Sequence, residues 1–153
     1  IHEKIDFVVS AWIVYEDKIL LVYHKLLQMW LPVGGHVELD ETPDEALFRE
    51  VKEECSLDIE VIGEKPPKVE GSSTRFLMRP AYIDIHPFKD KHQHIGLEYF
   101  ARAKSNQVKL APDEHEQIKW FTEKELDDPQ YKVPHAVKFI AKKALEAVQK
   151  HEK

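Results

Sequence analysis

Hydrophobic residues alternate with polar ones in several segments of the chain, as in strands, and recur with a helical period in two others. Segments rich in β-branched and aromatic residues predict six strands, over Phe7–Tyr15, Lys18–Tyr23, Leu57–Ile62, Pro80–Phe88, His94–Ala103 and Gln117–Phe121. The first two are separated by a short polar turn, which predicts a hairpin. The order of strands, helix, several strands and helix predicts an α/β (α+β) fold, with a mixed sheet and helices packed on both of its faces.

Two amphipathic helices are predicted, one in the middle of the chain and one near its end. The segment Thr42–Glu45 combines an N-cap residue, a proline at the first helical position and a capping box, so the first helix should begin there. It should run to about Cys55, with apolar residues at every fourth position. The second helix is predicted over Pro134–Lys150, with a lysine-rich face toward solvent, for which a docking patch is the alternative. Gly63–Thr74 and Pro112–Glu116 are predicted loops.

Composition indicates one globular domain over residues 1–153, of which 42% are hydrophobic and 33% charged. The net charge of −6 argues against a nucleic acid polymer as partner, because such binding needs a basic surface. No apolar run approaches the ~20 residues that span a bilayer, and no signal peptide is recognised, so we expect no membrane partner. The single cysteine, Cys55, excludes an internal disulfide and suits a reducing cytoplasm.

The segment from Glu38 to Glu54 carries eight carboxylates in 17 residues. Three of them share one 100° sector of the predicted helix: Glu50, Glu53 and Glu54, called the box glutamates below. Like charges at this spacing repel and destabilise a helix. Converging carboxylates therefore predict a site for a hard cation, since Mg²⁺ and Mn²⁺ prefer oxygen ligands. The alternative is an acidic, solvated helix face.

The spacing around this helix resembles the Nudix box. Gly35, five residues, Glu41, seven residues and then Arg49 to Leu57 (REVKEECSL) follow the family pattern Gly-x5-Glu-x7-Arg-Glu-aliphatic-x-Glu-Glu-x-Gly-aliphatic. Every position matches except Ser56, which replaces the last glycine. A serine there should adopt the left-handed conformation at a cost of about 1 kcal/mol and leave metal binding intact.

The resemblance to MutT-like Nudix hydrolases implies a fold and an activity. The fold would be an α/β/α sandwich around a mixed sheet. The activity would be Mg²⁺- or Mn²⁺-dependent hydrolysis of a phosphoanhydride bond in a nucleoside diphosphate linked to another moiety, with (d)NTP or modified-nucleotide clean-up as one form. The partner would be a nucleotide-type small molecule, and a homodimer is left open. The alternative is a non-catalytic Nudix module that binds a nucleotide or a partner, although such modules usually lack box carboxylates.

The resemblance also implies roles for the residues of the box. The metal ligands would be the backbone carbonyl of Gly35 and the side chains of Glu50, Glu53 and Glu54. Arg49 and Glu41 would pair and orient the helix and the loop before it. The general base stays open between Glu50 or Glu53 and three acids outside the box, Glu98, Glu114 and Glu116.

Several further residues are candidates for substrate contact. His36 follows the two glycines and lies near the predicted phosphate path, and Glu98 and Glu114 are also candidates. Trp30 could stack on a base, with a role in the core as its alternative. The histidines His86, His92 and His94 could bind zinc or phosphate. No cysteine or acidic pattern beside them indicates zinc, so a structural or surface role is their alternative.

Overall fold

The computed structural model describes residues 4–89, 92–111, 113 and 115–151. In these residues, eight strands form one sheet: β1 Lys4–Tyr15, β2 Lys18–His24, β3 Met29–Leu31, β4 Val33–His36, β5 Ile59–Val61, β6 Tyr82–Pro87, β7 His92–Ala103 and β8 His115–Thr122. The helices of the same residues are α1 Pro43–Cys55, α2 Glu123–Leu126 and α3 His135–His151. None of these helices is long and apolar enough to cross a membrane.

Strands β1 and β7 run parallel through the middle of the sheet. The other edge of β1 pairs antiparallel with β4 in its middle and with β2 at its end. The other edge of β7 is divided in the same way between β6 and β5. Strand β2 carries β3 and β8 on its two edges. The sheet is therefore mixed, as the order of elements predicted.

Helices α1 and α3 cover opposite faces of the sheet. Leu47 and Val51 of α1 pack with Val9 and Ile13 of β1 in one buried cluster. Residues of α3 form a second buried cluster with the other face of β1 and β2, including Trp12, Ile19, Leu21, Ile140 and Leu145. This arrangement confirms the predicted α/β/α sandwich.

Helix α1 begins and ends where the sequence predicts. Thr42 and Glu45 form both hydrogen bonds of the capping box. Ser56 has φ 59° and ψ 28°, which is the expected left-handed conformation, and its N–H donates to Lys52 O at 3.1 Å. Cys55 is fully buried, and burial raises the pKa of its thiol to about 12, which excludes a nucleophilic role at neutral pH.

Three elements were not predicted, and the last two residues of the predicted loop Pro112–Glu116 lie in a strand. Strands β3 and β4 have three and four residues, too few to show a period, and β4 contains two glycines. Helix α2 is a single turn with its own capping box. His115 and Glu116 belong to β8 and not to a loop, because β8 gains its pairing from β2.

Candidate active site

Gly35 of β4 lets α1 lie directly against the sheet. Gly34 and Gly35 pair with Ser10 and Val9 of β1. A Cβ atom at Gly35 would lie 2.5 Å from Cδ of Glu50, so any larger residue would displace this carboxylate. The lack of a side chain at Gly35 therefore leaves room for the Glu50 carboxylate beside the sheet.

Glu54 is buried and held at both carboxylate oxygens. The backbone N–H of Gly34 donates to Oε2 at 2.8 Å, and Nε2 of His115 lies 2.8 Å from Oε1. His115 was missed by the sequence analysis, because it lies 61 residues from Glu54 and only the β2–β8 pairing brings it to α1. The two contacts fix the orientation of the carboxylate in the way that outer-shell partners orient metal ligands.

Arg49 connects the loop before α1 to the box glutamates. Its Nε and Nη2 atoms donate to the two oxygens of Glu41 at 3.0 and 2.6 Å, which is the expected pair. Its Nη1 atom donates to Glu50 and Glu53 at 3.0 and 3.2 Å, and Nη2 also reaches the carbonyl of His36. The hydrogen bonds from Arg49 hold the pKa of the Glu41 carboxyl below its ordinary value.

The box glutamates differ in their surroundings. Glu50 and Glu54 are buried and line a cavity, whereas the Glu53 side chain is 60% exposed on the Arg49 side of α1. Among the described residues, Glu53 does not line this cavity. The three carboxylates thus lie on one helix face, with two of them directed to the interior.

The cavity extends from Glu50 and Glu54 across the sheet to the first turns of α3. Its volume is about 830 Å³, which is within the range of small-molecule sites. Ser10 and Trp12 of β1 and Phe139 of α3 contribute to its wall. Carboxylates at one end and aromatic side chains along the wall suit a ligand with a charged part and a ring.

The NUDIX domain family model matches residues 5–143. This chain belongs to the Nudix family. It has 28% identity and a TM-score of 0.82 to a NUDIX-family hydrolase from Clostridium perfringens, over 94% of this chain and 97% of that one. A MutT NUDIX hydrolase from Burkholderia pseudomallei has 26% identity and a TM-score of 0.66, over 95% and 99% of the two chains.

A further relative is named for a substrate. The chain is 29% identical over 116 residues to a "Probable DHNTP pyrophosphohydrolase" from Lactococcus lactis subsp. cremoris (strain MG1363). The match covers 72% of this chain and 62% of the Lactococcus protein, so this chain spans less than two thirds of that relative. The family model thus shows membership of the Nudix family, and the relatives carry the names of hydrolases and of a probable pyrophosphohydrolase.

Nudix hydrolases generally need a divalent metal, and the residues of this site fit one. The carboxylate oxygens of Glu50 and Glu54 supply the hard donors that such ions prefer. A residue with a side chain at position 35 would fill the space in which Glu50 lies. His115 and the backbone N–H of Gly34 hold the Glu54 carboxylate in a fixed orientation, as a metal ligand would need.

Glu98 lies buried in the wall of the cavity of this Nudix domain. The indole N–H of Trp12 donates to its Oε2 at 2.8 Å. Burial, together with the charge of Asp84, raises the pKa of the Glu98 carboxyl to about 8. A carboxyl group that is protonated at neutral pH is a poor general base, so this result disfavours Glu98 in that role and leaves it suited to substrate contact.

The remaining predicted residues are distributed between the cavity, the core and the surface. His36 lines the cavity at the end of β4. Trp30 is buried against Phe121, with ring centroids 4.9 Å apart, which favours its core alternative. Glu116 is exposed and accepts a hydrogen bond from Gln28. Glu114 lies outside the described residues.

Proposed function

We propose that this Nudix hydrolase uses Mg²⁺ or Mn²⁺ to cleave a phosphoanhydride bond of a nucleotide-type triphosphate bound in the cavity. One observation carries the proposal. Glu50 and Glu54 lie beside strand β4 at one end of a cavity whose other walls are largely apolar. Phosphates would lie at the carboxylate end, and the organic part would extend toward Trp12 and Phe139. A bounded cavity and a net charge of −6 suit a small molecule better than a nucleic acid polymer.

The metal would be held by the side chains of the box glutamates and the backbone carbonyl of Gly35. When bound, a divalent cation neutralises charge on phosphate oxygens and favours deprotonation of the attacking water. A bound cation would account for three carboxylates on one helix face, because it would offset their mutual repulsion.

The residues of the chain orient the reaction and accept a proton. Water attacks phosphorus, the phosphoanhydride P–O bond breaks, and the leaving phosphate departs with the bonding electron pair. We assign the proton of this water to Glu50, because its carboxylate lines the cavity whereas Glu53 is largely exposed beside Arg49. Arg49 and Glu41 connect α1 to the loop before it, so that Glu50 keeps its position.

The wall of the cavity suggests the chemistry of the organic group. A protonated Glu98 both donates and accepts hydrogen bonds, so it suits a heterocycle that carries both kinds of group. DHNTP, taken from the name of the Lactococcus relative, is therefore a first substrate to test beside the nucleoside triphosphates. A cytoplasmic location and a homodimer stay predictions.

The proposal is tested by measuring phosphate and pyrophosphate release from a panel of substrates with Mg²⁺ or Mn²⁺, with EDTA as control. The panel contains DHNTP, NTPs, dNTPs, 8-oxo-dGTP, ADP-ribose, NADH, dinucleoside polyphosphates and nucleotide sugars. Pyrophosphate release would show cleavage of a triphosphate to a monophosphate, as proposed. Two monophosphate products would show an internal diphosphate linkage and contradict the proposed substrate class.

Two variants decide whether the box glutamates perform the reaction. Glu53→Gln and Glu50→Gln should each lower turnover by a factor of about 10² or more, while Glu60→Gln, an exposed control on β5, should not. Thermal stability of Glu53→Gln should stay near that of the parent protein, since its side chain is largely exposed. Metal binding without turnover across the panel would favour the non-catalytic Nudix module.

A further inference from the structure

A carboxylate and two histidines lie on one face of three neighbouring strands, apart from the box glutamates. Asp6 of β1 is directly opposite His94 of β7, and Val8 of β1 is directly opposite His36 of β4. Residues two apart in a strand share a face, so Asp6, His36 and His94 point to the same side of the sheet. The sequence separates these residues by 30 and 58 positions, and only the sheet register brings them together.

The three side chains are close enough to share one ligand. One potential ligand atom from each residue lies within 4.8 Å of the others. His36 Nε2 is 3.7 Å from Asp6 Oδ2, and the His36 and His94 rings have centroids 5.0 Å apart. Tetrahedral donors at about 2.0–2.1 Å from zinc are ~3.3 Å apart. Small side-chain rotations would therefore complete such a site.

The burial of His94 is a second observation that points to a ligand at this cluster. Its side chain is 7% exposed, and within the part of the chain that the structure describes its Nε2 atom has no hydrogen-bond partner. A buried polar atom without a partner is costly, and native structures rarely keep one without a reason. Ligation of a bound ion by the His94 ring supplies such a reason.

Neighbouring side chains hold Asp6 and His94 in place. His92 Nε2 lies 2.5 Å from Asp6 Oδ2, which orients the carboxylate. The Phe88 ring stacks on His94 with centroids 4.5 Å apart and an interplanar angle of 20°. Such outer contacts are typical of metal sites, in which they fix the direction of each ligand.

The chemistry of the cluster favours a cation over a phosphate. The Asp6 carboxylate would repel an anion. The buried Nε2 atom of His94, which has no hydrogen-bond partner among the described residues, can offer a lone pair to a cation. Imidazole ligands suit zinc and similar ions, whereas Mg²⁺ prefers oxygen ligands alone.

The geometry points to a binding site for a zinc-class divalent ion, formed by Asp6, His36 and His94. We call it the histidine site, and it does not depend on the proposed hydrolysis. His36 and His94 also line the cavity. Three protein ligands leave a fourth position for water or a ligand group, as in zinc sites that bind a further molecule. The histidine site would thus add a second point of attachment for a ligand in the cavity.

Cobalt binding tests the histidine site directly. Chelator-treated protein is titrated with Co²⁺ in excess Mg²⁺, which competes for the box glutamates, and visible absorption reports nitrogen coordination. We expect about one equivalent with a tetrahedral or five-coordinate spectrum, displaced by Zn²⁺. Asp6→Asn and His94→Gln should weaken binding by a factor of about 10–100 or more. His135→Gln, at an exposed histidine of α3, is the matched control and should bind as the parent does.

The outcomes separate this site from the catalytic one. Glu53→Gln should lose turnover and keep the Co²⁺ spectrum. No Co²⁺ binding by the parent protein in excess Mg²⁺ would overturn the inference, and so would equal affinity in the parent and Asp6→Asn. If buried His94→Gln fails to fold by circular dichroism, Asp6→Asn decides, since Asp6 is partly exposed.

Discussion

His115 Nε2 lies 2.8 Å from Glu54 Oε1, and both side chains are only 3% exposed. His115→Ala should remove this contact from the buried Glu54 carboxylate. We expect the unfolding free energy to fall by about 1–3 kcal/mol and the Mg²⁺ concentration for half-maximal activity to rise about 10–100-fold. Urea denaturation and a Mg²⁺ titration of turnover measure these two effects.

The control for this prediction is His135→Ala, which removes an exposed histidine from the start of α3. It should change neither quantity. An unchanged Mg²⁺ requirement in His115→Ala would show that His115 supports only the fold.

The left-handed Ser56 gives a prediction about stability. Glycine adopts φ 59° without the steric cost of a Cβ atom, so Ser56→Gly should raise the unfolding free energy by about 1 kcal/mol. The Mg²⁺ requirement should not change, because the box glutamates lie on the preceding turns. Urea denaturation and the Mg²⁺ titration again provide the readouts.

Ser73→Gly is the control for Ser56→Gly, because Ser73 is exposed and is not among the described residues with positive φ. It should be neutral or slightly destabilising, since glycine increases the entropy of the unfolded chain. A large gain in activity in Ser56→Gly would contradict a purely structural role for this position.

The buried carboxyl of Glu98 gives a prediction about pH. Its pKa is raised from 4.5 to about 8 in the folded protein, so between these values the native state holds a proton that the unfolded chain has released. The contribution of this group to stability is therefore full below pH 4.5 and is lost as pH rises toward 8, by at most about 1.4 kcal/mol per pH unit.

Glu98→Gln imitates the protonated form and should remove this pH dependence. The variant should become more stable than the parent protein as pH rises from 5 to 8, and the difference should level off above pH 8. Denaturation curves across this range provide the measurement, with exposed Glu70→Gln as control. Equal slopes for Glu98→Gln and the parent would show that the carboxyl is ionised throughout this range.

The parts of the site that lie close together along the chain could be predicted from the sequence. Thr42, Glu45 and the box glutamates all belong to one helix and its cap, where spacing determines which side chains are neighbours. His115, Trp12 and Asp6 could not be assigned, because each reaches its partner through strand pairing. A strand pattern indicates a face but does not indicate which strand will be the neighbour.

The two adjacent glycines allow a last test that separates activity from folding. A Cβ at Gly35 would meet the end of the flexible Glu50 side chain, whereas one at Gly34 would meet the backbone of Val9 and Ser10. Gly35→Ala should therefore keep most of the stability and lower turnover by a factor of about 10 or more, because Glu50 is displaced. Gly34→Ala should lower the unfolding free energy by about 1–3 kcal/mol, since the backbone must shift.

Thermal denaturation and turnover at saturating Mg²⁺ distinguish the two variants. The contrast is informative because both glycines lie in β4 and the two changes add the same single methyl group. Normal turnover in Gly35→Ala would mean that Glu50 tolerates displacement, and the proton would then have to be assigned to another residue. If Gly35→Ala lost as much stability as Gly34→Ala, α1 and Glu50 could not move away from position 35 without unfavourable strain. The close packing of α1 on β4 would then be required for the fold as well as for the reaction.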